Sequence, residues 1–381
     1  MKVLFIVQGE GRGHMTQALA MEQILVDAGH EVSGIVIGTC NRREIPTYFK
    51  RKAQAPLYSV TSPNFYFDKN SKSINLWKTG LLNTLAIPKF LGELWKINQL
   101  VKQLEPEVVI NFYDLLGGVY FGLFNPSVKR ISIAHQYLAG HPEFPFAKGH
   151  GIQKQLFQIT NWATSLNSHS RVALSFRDYA ATRKGLTIAP PLLRQEIFEL
   201  APTRGDYLLA YVVNKGYAQD LIDWHRKNKK VKIHCFWDNK EMEDEWSPWK
   251  GLTFHHINDR KFLELMAGCM GYVSTAGFES ICEAMYLQKP VMMVPVEKQY
   301  EQACNALDAT KAGAGIHAKK FDLSRFLTYL AQAQESPQEF KAWTQLYKSI
   351  LLKEVESFVP DTRYKWLRVG RVLPRLVISN K

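Results

Sequence analysis

Twice along this chain, short apolar runs alternate with stretches of helical spacing, and that repetition limits the fold more than any other feature. In the first half Val3–Val7 reads as a buried strand, Met15–Ala28 has helical periodicity that Gly29 ends, and Val32–Ile37 is the next strand. Val108–Phe112 and Arg130–Ala134 follow, each short, β-branched and succeeded by loop residues. Over Ile188–Arg204 the pattern breaks, with Ala189-Pro190-Pro191 and Pro202-Thr203-Arg204-Gly205 bracketing a short amphipathic segment. A second series predicts strands at Tyr207–Val213, Lys230–Trp237, Leu252–His255, Gly271–Ser274 and Val291–Pro295, with helices between. Strand and helix in repetition argue for parallel sheets covered on both faces. The expected fold is therefore α/β, with two doubly wound Rossmann-like domains facing across a cleft. Residues 1–190 would form the first domain, 191–204 a linker, 205–358 the second domain and 359–381 a basic tail. Ligands of such sheets bind outside the carboxyl ends of the strands.

The 381 residues suit two domains, each able to bury its own core. Cys40, Cys235, Cys269, Cys282 and Cys304 are scattered without metal-ligand spacing, which points to a reduced, cytoplasmic protein lacking structural zinc. The apolar run at Met1–Val7 leads straight into Gly9-Glu10-Gly11-Arg12-Gly13 and reads as a first strand rather than a signal peptide. No stretch of about 18 uncharged apolar residues is present to span a bilayer.

The most informative segment runs from Gly271 to Ala306, GYVSTAGFESICEAMYLQKPVMMVPVEKQYEQACNA. A strand ends in the small-residue turn Thr275-Ala276-Gly277, and a helix starting near Phe278 carries Glu279 and Glu283 one turn apart on one face. Small residues at a helix start let a phosphate approach free backbone N–H groups, which the helix dipole also favours. A carboxylate two turns down can accept hydrogen bonds from ribose hydroxyls. After Lys289-Pro290 and a buried strand, Pro295 opens a loop with Glu297, Gln299, Glu301, Gln302 and Asn305, side chains suited to sugar hydroxyls.

This spacing resembles the donor-binding signature of GT-B glycosyltransferases, particularly the MurG-like (family 28) and UDP-glucuronosyltransferase-like (family 1) groups: G-x5-E, then K-P, then P, then Q-x2-N-A. The resemblance implies transfer of a sugar from a nucleotide-diphosphate donor, with UDP the usual nucleotide. It assigns Glu283 to the ribose, Gln302 to the sugar and Thr275, Ala276 and Gly277 to the diphosphate. The alternative is an ordinary β-α-β unit with incidental polar loop residues. One departure is the loop after the first strand of the second domain. It reads Val213-Asn214-Lys215-Gly216-Tyr217 where MurG-like enzymes are rich in glycine and serine, although Lys215 can bring charge to a phosphate.

Near the N-terminus, Gly9-Glu10-Gly11-Arg12-Gly13-His14 has histidine where a dinucleotide fingerprint needs glycine, which weakens an NAD reading. It resembles the G-x-G-H loop of GT-B enzymes, with Gly11 and Gly13 admitting substrates and His14 facing the cleft. Histidine titrates in the range a general base needs. His14 is thus a candidate base, a phosphate-orienting group, or a residue capping its own helix. Asp114 follows one predicted strand and is a candidate base or the orienter of His14. His135 and Gln136 follow the next and resemble the H-E-Q turn of MurG-like enzymes on the acceptor side. His141, His150, His255 and His256 read as surface or loop histidines. No D-x-D occurs, so metal-independent transfer is expected, without a resident cofactor; inversion rests on the resemblance.

The formal charge of +13 draws anionic partners without choosing among them. Basic residues concentrate at Arg42, Arg43, Lys50, Arg51 and Lys52, and over Lys69–Lys102, where Trp77, Leu81, Leu82, Leu85, Ile87, Phe90, Leu91, Leu94 and Trp95 accompany five lysines beyond Lys69 and one acid. The tail from Arg363 is similar, with Tyr364, Trp366, Arg368, Arg371 and Arg375. Such composition fits peripheral contact with an anionic membrane and a lipid-linked acceptor, or an ordinary core with solvated lysines. Nucleic acid is not expected as a partner, for lack of a recognisable binding motif. Within the fold, an epimerase or hydrolase of sugar nucleotides and a non-catalytic binding protein remain alternatives.

Overall fold

The computed structural model describes residues 1–39, 45–63, 84–149, 151–179, 185–212, 215–239, 242–332 and 339–357. Two seven-stranded sheets carry the chain, and each is wound outward from its first strand. In the first, β1 (Lys2–Gln8) pairs in parallel with β2 (Glu31–Thr39) on one side and β4 (Val108–Phe112) on the other. Then β3 (Leu57–Thr61) extends one edge, and β5 (Lys129–Ile133), β6 (Ser170–Leu174) and β7 (Leu186–Ala189) extend the other, all parallel. Val3 through Val7 are wholly buried, as strands covered on both faces require. Helix α1 (Arg12–Asp27) covers the β1–β2 crossover. It ends where expected: Gly29 takes φ 79°, its N–H reaches Val26, and the His30 N–H reaches Leu25.

The second sheet centres on β8 (Tyr207–Val212), flanked by β9 (Lys232–Trp237) and β12 (Gly271–Ser274). Outside them lie β13 (Val291–Met293) and β14 (Gly315–His317) on one side and β11 (Leu252–His256) on the other, all parallel. The exception is β10 (Glu245–Trp249), antiparallel to β11 at the edge and absent from the sequence expectation.

The two sheets share one core. A continuous apolar cluster runs from Phe5, Ile37 and Phe112 through Leu192, Leu193 and Ile197 into Phe278, Ile281 and Met285, and on to Phe340 and Trp343. Each such side chain contributes about 1.5–3 kcal/mol on burial, so the interface is held by more than its polar contacts. The chain also crosses back. Helix Tyr347–Glu356 lies on the first domain, where the Lys129 ammonium donates to the carbonyls of Glu354 and Val355, and Thr187 Oγ1 donates to Glu354 at 2.7 Å. The segment Lys69–Leu82, the arginines at 42 and 43 and the tail from 359 lie outside the described residues.

Candidate active site in the interdomain cleft

Parallel strands deliver their loops to one edge of each sheet, and the loops after β1, β4 and β5 meet those after β12 and β13 there. On the first domain, Gly11 is the residue from which α1 starts, with no side-chain cap, and Gly13 stands in its first turn. A Cβ on Gly13 would lie 3.2 Å from Glu279 Cγ, so the two helix starts approach closely across the cleft. His14 follows, only 9% exposed. Its Nδ1 lies 3.1 Å from Gln17 Oε1, its Nε2 lies 3.5 Å from Gln136 Nε2, and its ring stacks on Tyr113 at 5.4 Å. Burial lowers the His14 pKa to about 4, opposed by the bond to Gln17, so the imidazole is neutral at neutral pH. Tyr113 itself takes φ 59°, a backbone state costly for a bulky residue and typical of sites where geometry is imposed.

Asp114 does something other than orient His14. It is fully buried and caps helix Leu115–Phe124, its Oδ1 accepting from the Gly117 N–H at 3.1 Å. It makes no hydrogen bond to His14, whose ring nitrogens face Gln17 and Gln136 instead. Its Oδ2 has no hydrogen-bond partner and presses against Gly38, where a Cβ would come within 2.1 Å. Burial pushes the Asp114 pKa up to about 6. Of the two roles weighed for it, base or orienter of His14, the second lacks a contact; the side chain on His14 Nδ1 is Gln17, one turn away and legible only as an i, i+3 neighbour.

His135 and Gln136 open the turn after β5. His135 bonds the Leu174 carbonyl at 2.7 Å through Nδ1 and stacks on Phe278 of the other domain at 4.0 Å. Gln136 donates to Glu301 Oε1 at 3.0 Å, again across the cleft. On the second domain, Thr275 and Ala276 are buried, and Gly277 is the residue from which helix Phe278–Tyr286 begins. Asn305 Nδ2 donates to the Ala276 carbonyl at 3.1 Å and fixes that turn. Gln302 is committed locally, its Oε1 accepting the Val296 N–H at 2.9 Å. Lys215 begins helix Lys215–Lys227, while its side chain lies outside what is described.

Glu283 is 1% exposed and gripped by Arg194 of the linker, Nε to Oε1 at 2.5 Å and Nη2 to Oε2 at 2.9 Å. Sequence reasoning missed Arg194 because its partner lies 89 residues away. Two further bridges join the domains: Arg12 to Asp259 at 3.3 Å, and the Tyr179 hydroxyl to Asp308 at 2.6 Å. Of the histidines expected at the surface or in loops, His255 is buried on a strand, and His141 is in a loop but buried. His255 bonds His234 at 2.9 Å, and His141 packs edge-on to Tyr179. His256 is part-exposed beside Asp244 at 2.9 Å, and His150 lies outside the described residues. Among the described residues no cluster of three or more His, Cys, Asp or Glu is placed to hold a metal ion.

The chain is 25% identical over 351 residues to an uncharacterized glycosyltransferase of Methanosarcina mazei, covering 83% of this chain and 85% of that one. Among solved structures it is similar to the spinosyn rhamnosyltransferase SpnG, with TM-score 0.59, 13% identity and coverage of 94% of this chain and 100% of that one. SpnG has also been solved with thymidine diphosphate and with spinosyn aglycone. The glycotransferase of kitacinnamycin gives TM-score 0.60 at 12% identity, covering 92% of this chain and 95% of that one. These likenesses agree on the two-domain GT-B fold. The glycosyl transferase family 1 profile matches residues 1–333, and the chain therefore belongs to that family and is a glycosyltransferase.

Proposed function

We propose that the enzyme transfers a hexosyl group from a nucleoside diphosphate sugar, UDP-linked, to an acceptor hydroxyl, without a metal and with inversion. The observation that carries this reading is His14, neutral and held by two flanking amides at the mouth of α1, opposite the start of helix Phe278–Tyr286. The acceptor O–H gives its proton to the imidazole as its oxygen attacks the anomeric carbon. The bond from that carbon to the diphosphate breaks, and its electron pair leaves with the diphosphate. A single displacement inverts the centre. The backbone N–H groups around Thr275, Ala276 and Gly277, with Lys215, meet the developing charge in place of a D-x-D-bound metal, a motif the sequence lacks. Gln302 serves the donor sugar and Glu283 the ribose, the latter only once Arg194 yields lone pairs of that buried carboxylate. SpnG, a fold neighbour, was solved with thymidine diphosphate, which supports a pyrimidine nucleoside diphosphate as leaving group.

The test is thermal-shift binding with UDP, dTDP, GDP and their sugars, alongside turnover. A nucleotide at about 100 times its Kd raises stability by about 2.7 kcal/mol. His14→Ala keeps that stabilisation and loses about 10²–10⁴ in turnover. No stabilisation by any nucleotide sinks the donor class, and near-normal turnover in His14→Ala removes it as base.

A lipid-linked acceptor and peripheral membrane contact belong to the same proposal. Helices Ile87–Leu104 and Gly151–Ala163 both pack on helix Leu115–Phe124. They leave Ile87, Leu91, Trp95, Ile152, Ile159 and Trp162 each at least half exposed, accompanied by Lys89, Lys96, Lys102 and Lys154. Among the described residues no helix is long and apolar enough to cross a membrane. Co-sedimentation with phosphatidylcholine vesicles should rise when phosphatidylglycerol is added and fall in Trp95→Ser/Trp162→Ser. Indifference to both changes counts against membrane contact.

A further inference from the structure

His14 has a choice of tautomer, and a chain of two side chains decides it. Gln17 is 2% exposed and bonded at both ends, through Oε1 to His14 Nδ1 at 3.1 Å and through Nε2 to Glu279 Oε1 on the second domain. An amide oxygen can only accept and an amide nitrogen can only donate, while an ionised carboxylate only accepts. With Glu279 ionised, the Gln17 NH₂ must face it, so the Gln17 oxygen must face the imidazole. Nδ1 must then carry the proton, and Nε2, left without one, faces the Gln136 amide nitrogen at 3.5 Å, which can only donate to it. We propose that Gln17 and Glu279 are positioning residues which, joined across the cleft, hold His14 in the tautomer able to accept a proton at Nε2. The proposal rests on the reading of His14 as the base, but the tautomer itself is measurable without a substrate.

The device spans both domains: Gln17 sits on α1, and Glu279 sits in the first turn of helix Phe278–Tyr286, against Gly13. Its direction depends on the charge of Glu279. A protonated Glu279 can donate to the Gln17 oxygen, which turns the Gln17 NH₂ toward Nδ1 and places the imidazole proton on Nε2, the form that cannot act as base. Burial raises the Glu279 pKa to about 8, with Glu283 on its own helix adding to the rise and Gln17 and Arg194 opposing it. The other Glu279 oxygen is shut from solvent without a hydrogen-bond partner. His14 faces Gln17, Gln136 and Tyr113, none of which is itself charged at pH 6–9; Gln136 in turn donates to Glu301, a buried carboxyl whose pKa burial raises. The Nδ1–H form therefore grows as pH rises through about 8.

Nitrogen-15 shifts and long-range ¹H–¹⁵N correlations on histidine-labelled full-length protein test this directly, with the His14 signals assigned by their loss in His14→Asn. The expected result is a protonated Nδ1 and bare Nε2 at pH 9, and a growing Nε2–H population toward pH 6. Glu279→Gln keeps the volume but can present either end of its amide, so the pH dependence through Gln17 is lost; Gln17→Met leaves only the long Gln136 contact to bias the tautomer, so the Nδ1–H population at pH 9 falls. A His14 with its proton on Nε2 at pH 9, or one indifferent to both substitutions, overturns the proposal. If the tautomer follows Gln17 and Glu279 while His14→Ala still turns over normally, the base reading fails and the positioning stands.

Discussion

Replacing Glu283 by alanine should destabilise the protein far more than loss of a ligand contact would. The carboxylate is 1% exposed and meets the Arg194 guanidinium through two charge-assisted bonds of 2.5 and 2.9 Å. Without it, a largely buried guanidinium is left with the more distant Asp259 at 3.8 Å, and with Glu196 and Glu279 as weaker acidic neighbours. Removing one partner of such a pair costs about 3–5 kcal/mol, because the survivor is stranded without water. At about 2–4 °C per kcal/mol for a domain of this size, the melting temperature drops by roughly 6–20 °C. Removing both partners together is different: Arg194→Met/Glu283→Leu replaces two desolvated charges by apolar volume and should recover most of the loss. Calorimetry and urea unfolding of wild type, both single variants and the double variant give the coupling, expected at about 2 kcal/mol or more. A Glu283→Ala protein within about 1 kcal/mol of wild type would refute the reasoning, as would additive losses in the double variant. The same numbers warn that lost nucleotide binding in Glu283→Ala does not by itself identify a ribose contact, so Glu283→Gln is the better probe.

Gly38→Ala forces a methyl to within 2.1 Å of Asp114 Oδ2 and 2.8 Å of Ser62 Cβ, so a loss of about 1–3 kcal/mol or more is expected in chemical denaturation. An unchanged midpoint would show that the carboxylate moves freely. Asp114→Asn keeps the cap on helix Leu115–Phe124 but cannot ionise. Because burial raises the Asp114 pKa from 3.8 to about 6, its stabilising term is full below pH 3.8 and disappears as pH rises through 6. Wild type should thus lose about 3 kcal/mol relative to the variant across that window, and parallel stability curves would contradict it. Nucleoside diphosphate binding should take up protons at pH 7–8, since a diphosphate raises the pKa of His14 and of Glu279 further. Calorimetric binding enthalpies that do not vary between buffers of different ionisation heat would argue against that coupling.

What was legible in the sequence follows from which features are local. Val3–Val7 and Val108–Phe112 read as strands because parallel strands buried on both faces are unbroken apolar runs. Strand Glu245–Trp249 did not, being an edge strand with Pro248 inside it and Glu245 exposed. Asp114 and His135-Gln136 read as lying at carboxyl ends of strands from their position in the β-α-β repeats, and β4 and β5 end just before them at Phe112 and Ile133. The partners were not legible. Gln17 meets a carboxylate 262 residues away, and Arg194 meets one 89 residues away, distances at which a single sequence carries no pairing signal. The burial of His255 also escaped, since its Nε2 bonds His234 on the neighbouring strand, 21 residues away in the chain.

One physical cause then links the separate shifts at this cleft. Desolvation penalises whichever form is charged, so it moves the acids Asp114 and Glu279 up, to about 6 and about 8, and the base His14 down, to about 4. Burial thus keeps the His14 imidazole uncharged well below neutral pH, while protonation of Glu279 below about pH 8 turns Gln17 and moves the imidazole proton to Nε2. Glu283 has a different partner, a bidentate guanidinium where Glu279 has the single amide of Gln17. Two carboxylates one helical turn apart thus stand in different surroundings, Glu283 paired with Arg194 and Glu279 raised by burial to about 8. Since the amide of Gln17 reads the state of Glu279 and passes it to His14, the tautomer of the first domain's histidine depends on a residue of the second. That dependence runs through one contact across the cleft, Gln17 to Glu279, so the His14 tautomer would be released from Glu279 wherever that contact is lost.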